Sequence, residues 1–351
     1  MKRLLVLALV CLAVVSCKKE GCTDSNAVNY DSNANFDNGS CVYDSSNLIF
    51  GCMNTNAINY NSNASIDDGS CVYFPNIDWS LYPDDSNNYL TLYDFINLET
   101  NWNLNLNTKR NILLENYAGH RCVNCPDASI IAEDLENDSS LGVVVVSIQA
   151  SPDGYFQSTD GTYQTDFTTE AGDIYVVDMP GMFANPLGTI NRKSNGLSGS
   201  VWQLSNSWET AVNQETYQPL LANIQVKTNY FPSTNGLFVH TETVFNSDLV
   251  GDYRLVIYLI RKSVISPQSM EDGSTNYNYN HHNVLSDNIN GAWGTPIGTS
   301  NILEETKLYN DFSFELPTDS TYNIDNLSLV TYLCNRNTFE IIQVTKTDLE
   351  P

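Results

Sequence analysis

The sequence predicts an α/β region followed by an all-β region, with a small disulfide-stapled repeat region at the N-terminus. Residues 112–150 pass from an apolar run through helical spacing to a run of β-branched residues, the order strand, helix, strand. From residue 223 onward, segments that alternate polar and apolar residues are separated by turn formers, which favours an antiparallel β-sandwich. Residues 21–73 contain one cysteine-bounded unit twice.

The first residues predict an export signal. Two basic residues precede an apolar run over 4–15, which is too short to span a bilayer as a helix. The ending "VVSC" resembles a bacterial lipobox, which implies that residues 1–16 are removed and that Cys17 carries lipid. Lys18 follows, so the aspartate typical of retention at the inner membrane is missing and the outer membrane is expected. The alternative is an ordinary secretory signal followed by a chance cysteine.

The charge and apolar content of the chain indicate which kinds of partner it has. The net charge of -25, from 16 basic and 41 acidic residues, opposes phosphate binding and argues against nucleic acid as a partner. After the signal, no stretch of about 18 uninterrupted apolar residues appears. The expected partners are therefore the membrane, through the lipid anchor, and another envelope protein. The sequence does not decide which face of the outer membrane carries the chain.

The two repeats, residues 21–43 and 51–73, share one frame. Each has a cysteine near its start and another near its end, so pairing within each copy is the economical arrangement in an oxidising envelope. A disulfide closing such a loop stabilises the fold by about 3 kcal/mol on the chain-entropy model. We interpret the repeats as a spacer between the membrane and the folded part. The predicted disulfides are Cys22–Cys41 and Cys52–Cys71.

Carboxylates in the repeats leave two alternatives open. They could be solvated turn residues, since turn formers crowd both units, or oxygen ligands of calcium, although the twelve-residue EF-hand spacing is absent. No other cofactor is predicted. The residues concerned are Asp24, Asp31, Asp37, Asp67 and Asp68.

A close cysteine pair lies at the start of the predicted helix, in "HRCVNCP". There Cys122 would sit at the helix N-terminus, where the macrodipole and free amide groups favour a thiolate. Cys125 would lie one turn inside, shielded, and Pro126 is tolerated in a first helical turn. The arrangement predicts an exposed attacking sulfur and a resolving partner.

At these residues the sequence resembles the thioredoxin-like superfamily, and more closely the twenty-eight-kilodalton outer membrane protein family of Gram-negative lipoproteins. The resemblance covers roughly residues 107–351. The segments that carry it are "ILLENYAGHRCVNCP", "NPLGTINR" and "YNHHNVLSDNINGAWG".

The resemblance implies roles for two further residues. Pro186 matches the cis-proline that faces the cysteine pair in thioredoxin-like folds. Glu115 resembles the buried acid that assists proton transfer, although its spacing to Cys122 is one residue longer. If the pair is catalytic, Cys122 attacks, Cys125 resolves the mixed disulfide, Glu115 relays protons and Pro186 shapes the substrate groove. Arg121 replaces the tryptophan that usually precedes the first cysteine.

Other interpretations of the pair remain. Zinc could use His120 and both sulfurs with a histidine from 281–282, but no second cysteine knuckle is present. A permanent structural disulfide, Cys122–Cys125, is the main alternative to thiol-disulfide exchange. Two functions therefore stand: a thiol-disulfide oxidoreductase, or a non-enzymatic binding or accessory protein of the envelope.

Three predictions concern the rest of the chain. Residues 151–183 interrupt the thioredoxin order and are expected to form a cap over the cysteine pair, with a helix following over about 203–222. Residues 266–299 are expected to be a long loop. Cys334 lies in a strand pattern and is expected to be buried as a small apolar side chain.

The sequence predicts that the chain consists of five successive units. The units are a signal peptide (1–16), lipid anchor and repeats (17–80), a linker and leading strand (81–106), a thioredoxin-like domain (107–222) and a β-sandwich (223–351).

Overall fold

The computed structural model of the chain divides into two compact units, residues 1–74 and 75–351. Within the described residues, no helix is both long and apolar enough to span a membrane. The predictions for Cys17, Asp68 and the pair Cys52–Cys71 lie outside the described residues. The structure describes residues 18–25, 27–42, 49–51, 61, 63–67, 77–83, 102, 108–194, 200–297 and 301–349.

The two repeats form the same short strand pairing. β1 (Glu20–Gly21) pairs in parallel with β2 (Phe36–Asp37), and β3 (Phe50–Gly51) pairs in parallel with β4 (Ile66–Asp67). Equivalent sequence positions therefore make equivalent backbone contacts, as the shared frame predicts.

The first repeat contains the predicted disulfide, Cys22–Cys41, with a Cα–Cα distance of 4.8 Å. Its carboxylates serve turns and an ion pair. Asp31 Oδ2 lies 2.9 Å from Lys19 Nζ, and Asp37 Oδ1 accepts a 3.0 Å hydrogen bond from the Gly39 amide. Among the described residues, no group of three or more His, Cys, Asp or Glu side chains could hold a metal ion.

The second unit is rich in strands and has three α-helices in its described part. Its elements in chain order are β5 (Ile112–Ala118), α1 (Cys125–Asn137), β6 (Val143–Gln149), α2 (Glu170–Asp178), β7 (Leu187–Ile190), α3 (Trp208–Glu215), β8 (Ala222–Phe231), β9 (Gly236–Phe245), β10 (Leu249–Val250), β11 (Tyr253–Ser269), β12 (Thr275–Asn288), β13 (Thr295–Pro296), β14 (Asn301–Ile302), β15 (Lys307–Glu315), β16 (Leu327–Asn335) and β17 (Ile341–Asp348). Short 3-10 turns occur at Trp79–Leu81, Tyr155–Gln157, Ser205–Ser207 and Ile324–Asn326.

The predicted strand, helix, strand unit is β5, α1 and β6. Both strands are buried along their whole length, because their apolar and β-branched side chains meet packing layers on both faces of the sheet. β6 is parallel to β5, and β7 is antiparallel to β5 on its other side. α1 packs on this sheet through buried positions spaced four and three apart: Ala128, Ala132 and Leu135.

Strands from the C-terminal part extend this same sheet, whose order is β17-β16-β11-β12-β6-β5-β7. β12 joins β6 in parallel through the pair Val284–Ser147. The expected sandwich after residue 222 is therefore not built from its own strands alone. β11, β12, β16 and β17 belong to the sheet that begins at residue 112.

The prediction of a long loop over residues 266–299 is wrong for most of that range. β11 runs to Ser269, and β12 occupies Thr275–Asn288 after a turn of five residues. The Asn and His residues of this segment are typical of turns, whereas the observed strand depends on its pairing along β11. Tertiary pairing overrode local preference here.

A second sheet, β15-β9-β8, packs on the β11 end of the main sheet. Alternation along β11 explains how one strand serves two layers. Ile257 and Leu259 pack with Leu237 and Val239 of β9, while Tyr258 faces the core on the opposite side.

The helix predicted over 203–222 is shorter. It comprises a 3-10 turn and α3, which ends at Glu215, and β8 already begins at Ala222. The N-terminal half of the predicted span supplies the buried apolar side chains of this helix, Trp208 and Val212.

Candidate functional site around the cysteine pair

The cysteine pair forms a disulfide, Cys122–Cys125, with a Cα–Cα distance of 5.4 Å. α1 begins at Cys125, with Asn124 as its N-cap, so Cys122 lies two residues before the cap. The pair therefore stands at the leading end of a helix that packs on the sheet, as the sequence predicts, but Cys125, expected one turn inside the helix, is its first residue.

The prediction of an exposed sulfur at Cys122 is wrong. Cys122 is 2% exposed and Cys125 is 3% exposed. Phe156 packs against the cluster that both cysteines form with Ala118, and the side chain of Gln268, from β11, donates a 2.9 Å hydrogen bond to the Cys122 carbonyl. Chain segments far away in sequence thus cover the helix start.

The first part of the predicted cap helps to cover the disulfide. This part, residues 151–169, is called the cap segment below. Its backbone is tied to the motif by the 3.1 Å hydrogen bond from the Arg121 amide to the Phe156 carbonyl. Arg121 also forms a 2.6 Å ion pair with Asp160, and its guanidinium lies 4.7 Å from the ring centroid of Tyr163. The backbone amide of Tyr163 and, next, Arg121 lower the pKa of Asp160 to about 2.

Two histidines border this region. His120 Nε2 lies 3.0 Å from the Ser158 carbonyl oxygen, and burial lowers the pKa of His120. Burial also lowers the pKa of His281, from β12, to about 4. The zinc alternative does not fit this arrangement, because the two sulfurs are bonded to each other.

Pro186 directly precedes β7, and the Asn185–Pro186 peptide bond is cis, as the resemblance implies. The Asn185 side chain donates hydrogen bonds of 2.8 Å and 3.1 Å to the carbonyls of Tyr117 and Ala150. This residue therefore joins the ends of β5 and β6 at the level of the cysteine motif.

Glu115 lies on the face of β5 opposite α1. Strand side chains alternate, and Leu114 packs with α1 while Leu113 and Tyr117 belong to the other core. A spacing to Cys122 that is one residue longer moves the side chain to the opposite face. The expected proton relay between Glu115 and Cys122 does not fit this placement.

Glu115 instead binds Arg192, which ends the "NPLGTINR" segment. The guanidinium makes two contacts, Nη2 to Oε1 at 2.6 Å and Nε to Oε2 at 2.8 Å, and both side chains are fully buried. Thr189 and Tyr258 each donate a further 2.8 Å hydrogen bond to the carboxylate.

Aromatic rings enclose this ion pair. Arg192 lies 4.3 Å from the ring centroid of Tyr175 and 5.2 Å from that of Trp293. Because Tyr258 belongs to β11 and Glu115 to β5, the network connects the first and last parts of the sheet. Sequence reasoning did not assign Arg192, although an arginine directly after a buried strand was a usable signal.

A cavity of about 20 Å³ lies beside Cys125, between α1 and β12, and is called the α1–β12 cavity below. Its lining includes Asn116 of β5, Gln149 of β6 and His281 of β12. Polar side chains from three strands thus converge next to the disulfide.

The C-terminal half of the chain is similar to a known protein family. Residues 178–351 match the family Outer membrane protein Omp28. The predicted resemblance is confirmed over this range, which contains the second and third of the three segments that carry it. The first segment, which holds the cysteine pair, precedes the matched residues. The expected location at the outer membrane is confirmed by the Omp28 match.

Two solved structures are similar to parts of this chain. HBP35 of Porphyromonas gingivalis is similar to this chain with 14% identity and a TM-score of 0.53, covering 69% of this chain and 76% of its own, which shows a related fold. A domain of the outer membrane lipoprotein Omp28 from Porphyromonas gingivalis matches 37% of this chain and 89% of its own, with 17% identity and a TM-score of 0.25. No curated protein matches the sequence.

Proposed function

We propose that the chain is a lipid-anchored, non-catalytic binding protein of the outer membrane, in which the Cys122–Cys125 disulfide stabilises the fold. The observation that carries the proposal is the burial of both cysteines, which are 2% and 3% exposed. Thiol-disulfide exchange requires an accessible thiolate that can approach a second sulfur in line. The cap segment and β11 occupy the space through which a substrate disulfide would have to approach.

Two hydrogen bonds support a closed arrangement around the pair. The Ser269 amide donates to the His120 carbonyl at 2.8 Å, and the buried side-chain amide of Gln157 donates to the Ala118 carbonyl at 2.6 Å. Each bond joins the motif to a different covering segment, so uncovering the sulfurs requires both segments to move. Each contact that has to break adds on the order of 1 kcal/mol to the cost of opening.

A thioredoxin-like scaffold is part of the proposal. β5, α1, β6 and β7 follow in the order strand, helix, strand, antiparallel strand, with β5 between the other two. The second sheet, packed face to face on the β11 end, supplies the sandwich-like part. The scaffold would present its loops and cavity to a ligand, while lipid on Cys17 and the repeats hold it near the membrane.

The reduction potential of the disulfide tests the non-catalytic role. We expect a value below about -300 mV, as for structural disulfides of exported proteins. We also expect no insulin reduction and no maleimide labelling of the native protein under mild reduction. Cys334 is the internal control, since it is a fully buried thiol whose pKa burial raises to about 11.

Two results would contradict the proposal. One is a potential within the range of the catalytic oxidoreductases. The other is insulin reduction that Cys122→Ser abolishes and Cys334→Ser does not. A binding role also predicts that a stoichiometric partner or ligand accompanies the protein when it is purified from membranes in detergent.

A further inference from the structure

The α1–β12 cavity contains buried hydrogen-bond acceptors that the protein itself does not satisfy. Among the described residues, none donates to Asn116 Oδ1, Gln149 Oε1 or His281 Nε2. All three residues line the cavity, and each is at most 5% exposed. A buried polar atom without a partner is costly, so such atoms in one cavity indicate a bound group.

The amide orientations follow from their other contacts. Asn116 Nδ2 donates to Ser129 Oγ at 3.2 Å, and Gln149 Nε2 donates to Ser147 Oγ at 3.2 Å. In both residues the nitrogen is therefore occupied, and the carbonyl oxygen is the atom left without a donor.

The imidazole of His281 is also an acceptor at this site. Its ring hydrogen-bonds to the backbone at Ser266, and burial lowers its pKa to about 4, so it is neutral at pH 7. Because Nε2 is the nitrogen without a partner, the single proton lies on Nδ1 and Nε2 carries a lone pair. A neutral ring does not repel a cation.

The charge at the rim is negative. Glu133 of α1 lines the cavity together with His282, and their side chains are 37% and 43% exposed, so the lining of the cavity extends to solvent at these two residues. The whole chain carries a net charge of -25, which raises the local concentration of cations.

We propose that the α1–β12 cavity binds a primary ammonium group, whose three N–H bonds are donated to Asn116, Gln149 and His281. An ammonium group is close in size to a water molecule, and about 20 Å³ accommodates one such group. Water has only two O–H donors for these three acceptors, whereas a primary ammonium has three. The ammonium belongs either to a lysine of a partner polypeptide or to a free small amine.

This inference deepens the proposed binding role by naming a ligand class. The two can fail separately. The reduction potential tests whether the disulfide is structural, and amine titration tests the ligand without any redox reagent.

The experiment titrates the full chain, purified in detergent, with n-butylammonium chloride and measures heat of binding by calorimetry. Tetramethylammonium chloride and n-butanol are the ligand controls, since the first has charge without N–H donors and the second lacks charge. Saturable binding of n-butylammonium alone supports the proposal. No binding, or equal binding of tetramethylammonium, overturns it and leaves the cavity to water.

Variants locate the site. Gln149→Leu, which keeps the side-chain volume and removes the acceptor, should weaken n-butylammonium binding by about tenfold or more. Glu133→Gln should weaken it a few-fold at low salt, whereas Glu209→Gln, an exposed glutamate on α3, should not. Unchanged affinity in folded Gln149→Leu contradicts the proposal, and the ligand controls decide the matter if that variant does not fold.

A lysine-containing tetrapeptide and its acetyl-lysine counterpart identify the source. Tighter binding of the lysine peptide than of n-butylammonium, lost on acetylation, indicates a polypeptide partner. Binding of n-butylammonium with an equal or weaker peptide affinity indicates a free amine.

Discussion

The two faces of β5 carry two different polar centres, a buried ion pair on one face and a cluster of uncharged acceptors on the other. On one face, the charges of Glu115 and Arg192 are paired through two short contacts, although Arg192 Nη1 has no hydrogen-bond partner among the described residues, and the ring of Tyr175 lies against the guanidinium. On the other face, none of the described residues donates to the unpaired side-chain acceptors of Asn116 and its neighbours in the α1–β12 cavity. Adjacent residues of one strand thus belong to two different centres, a charged network that joins parts of the fold and the proposed ligand site.

Breaking the Glu115–Arg192 ion pair should have the largest effect on stability. We expect Arg192→Met to lower the free energy of unfolding by about 3–5 kcal/mol, because it leaves the Glu115 carboxylate buried without a cation. Arg254→Met, which breaks a partly exposed pair with Asp252 at 2.9 Å, should cost less than about 1 kcal/mol. Urea denaturation measures both. Equal losses would mean that burial does not distinguish the two pairs.

Removing the disulfide should have an intermediate effect. The double variant Cys122→Ala with Cys125→Ala should lose about 2 kcal/mol, because the bond closes a loop with a sequence separation of only 3. Midpoints of urea unfolding, compared with the Cys334→Ala variant, give the value. A double variant as stable as the native protein would remove the stabilising role from the proposal.

Replacing an acceptor of the α1–β12 cavity with an apolar side chain should change stability little. In the absence of amine, we expect Gln149→Leu to shift the free energy of unfolding by less than about 1 kcal/mol in either direction, since it removes an unsatisfied acceptor. A loss of several kcal/mol, as in Arg192→Met, would show that the two centres are equally important for the fold.

The smallest expected effect is the pH dependence of the cap segment. The pKa of Asp160 is about 2 in the folded chain, below its ordinary value of 3.8. Its contribution to cap order is therefore present above about pH 4 and is lost as the pH falls through about 2. Hydrogen exchange over residues 155–163 should rise in that window, and Asp160→Asn should remove the dependence. Unchanged exchange across the window in the native chain would exclude this role.

Local patterns in the sequence predicted the elements that depend on local chemistry. The apolar runs of β5 and β6, the helical spacing of α1 and the pair Cys22–Cys41 all follow from the printed residues. The spacing of Glu115 contained the information that it faces away from Cys122, because strand alternation makes one residue decisive.

Long-range contacts determined what the sequence could not predict. The burial of Cys122 depends on Gln268, and the strand β12 depends on its pairing with β11. Neither contact has a signature near the residues it affects. The α1–β12 cavity likewise forms only when four strands and a helix from distant parts of the chain meet.

The walls of that cavity have a consequence for comparing proteins. α1, β5 and β6 all precede residue 178, while β12 lies inside the range 178–351 that matches the Omp28 family. The matched half alone does not contain these three walls, so it cannot form the proposed amine site by itself. Relatives should therefore be grouped by whether residues equivalent to Asn116, Gln149 and His281 occur together in one chain, and a relative that aligns only over the later half carries no information about this site.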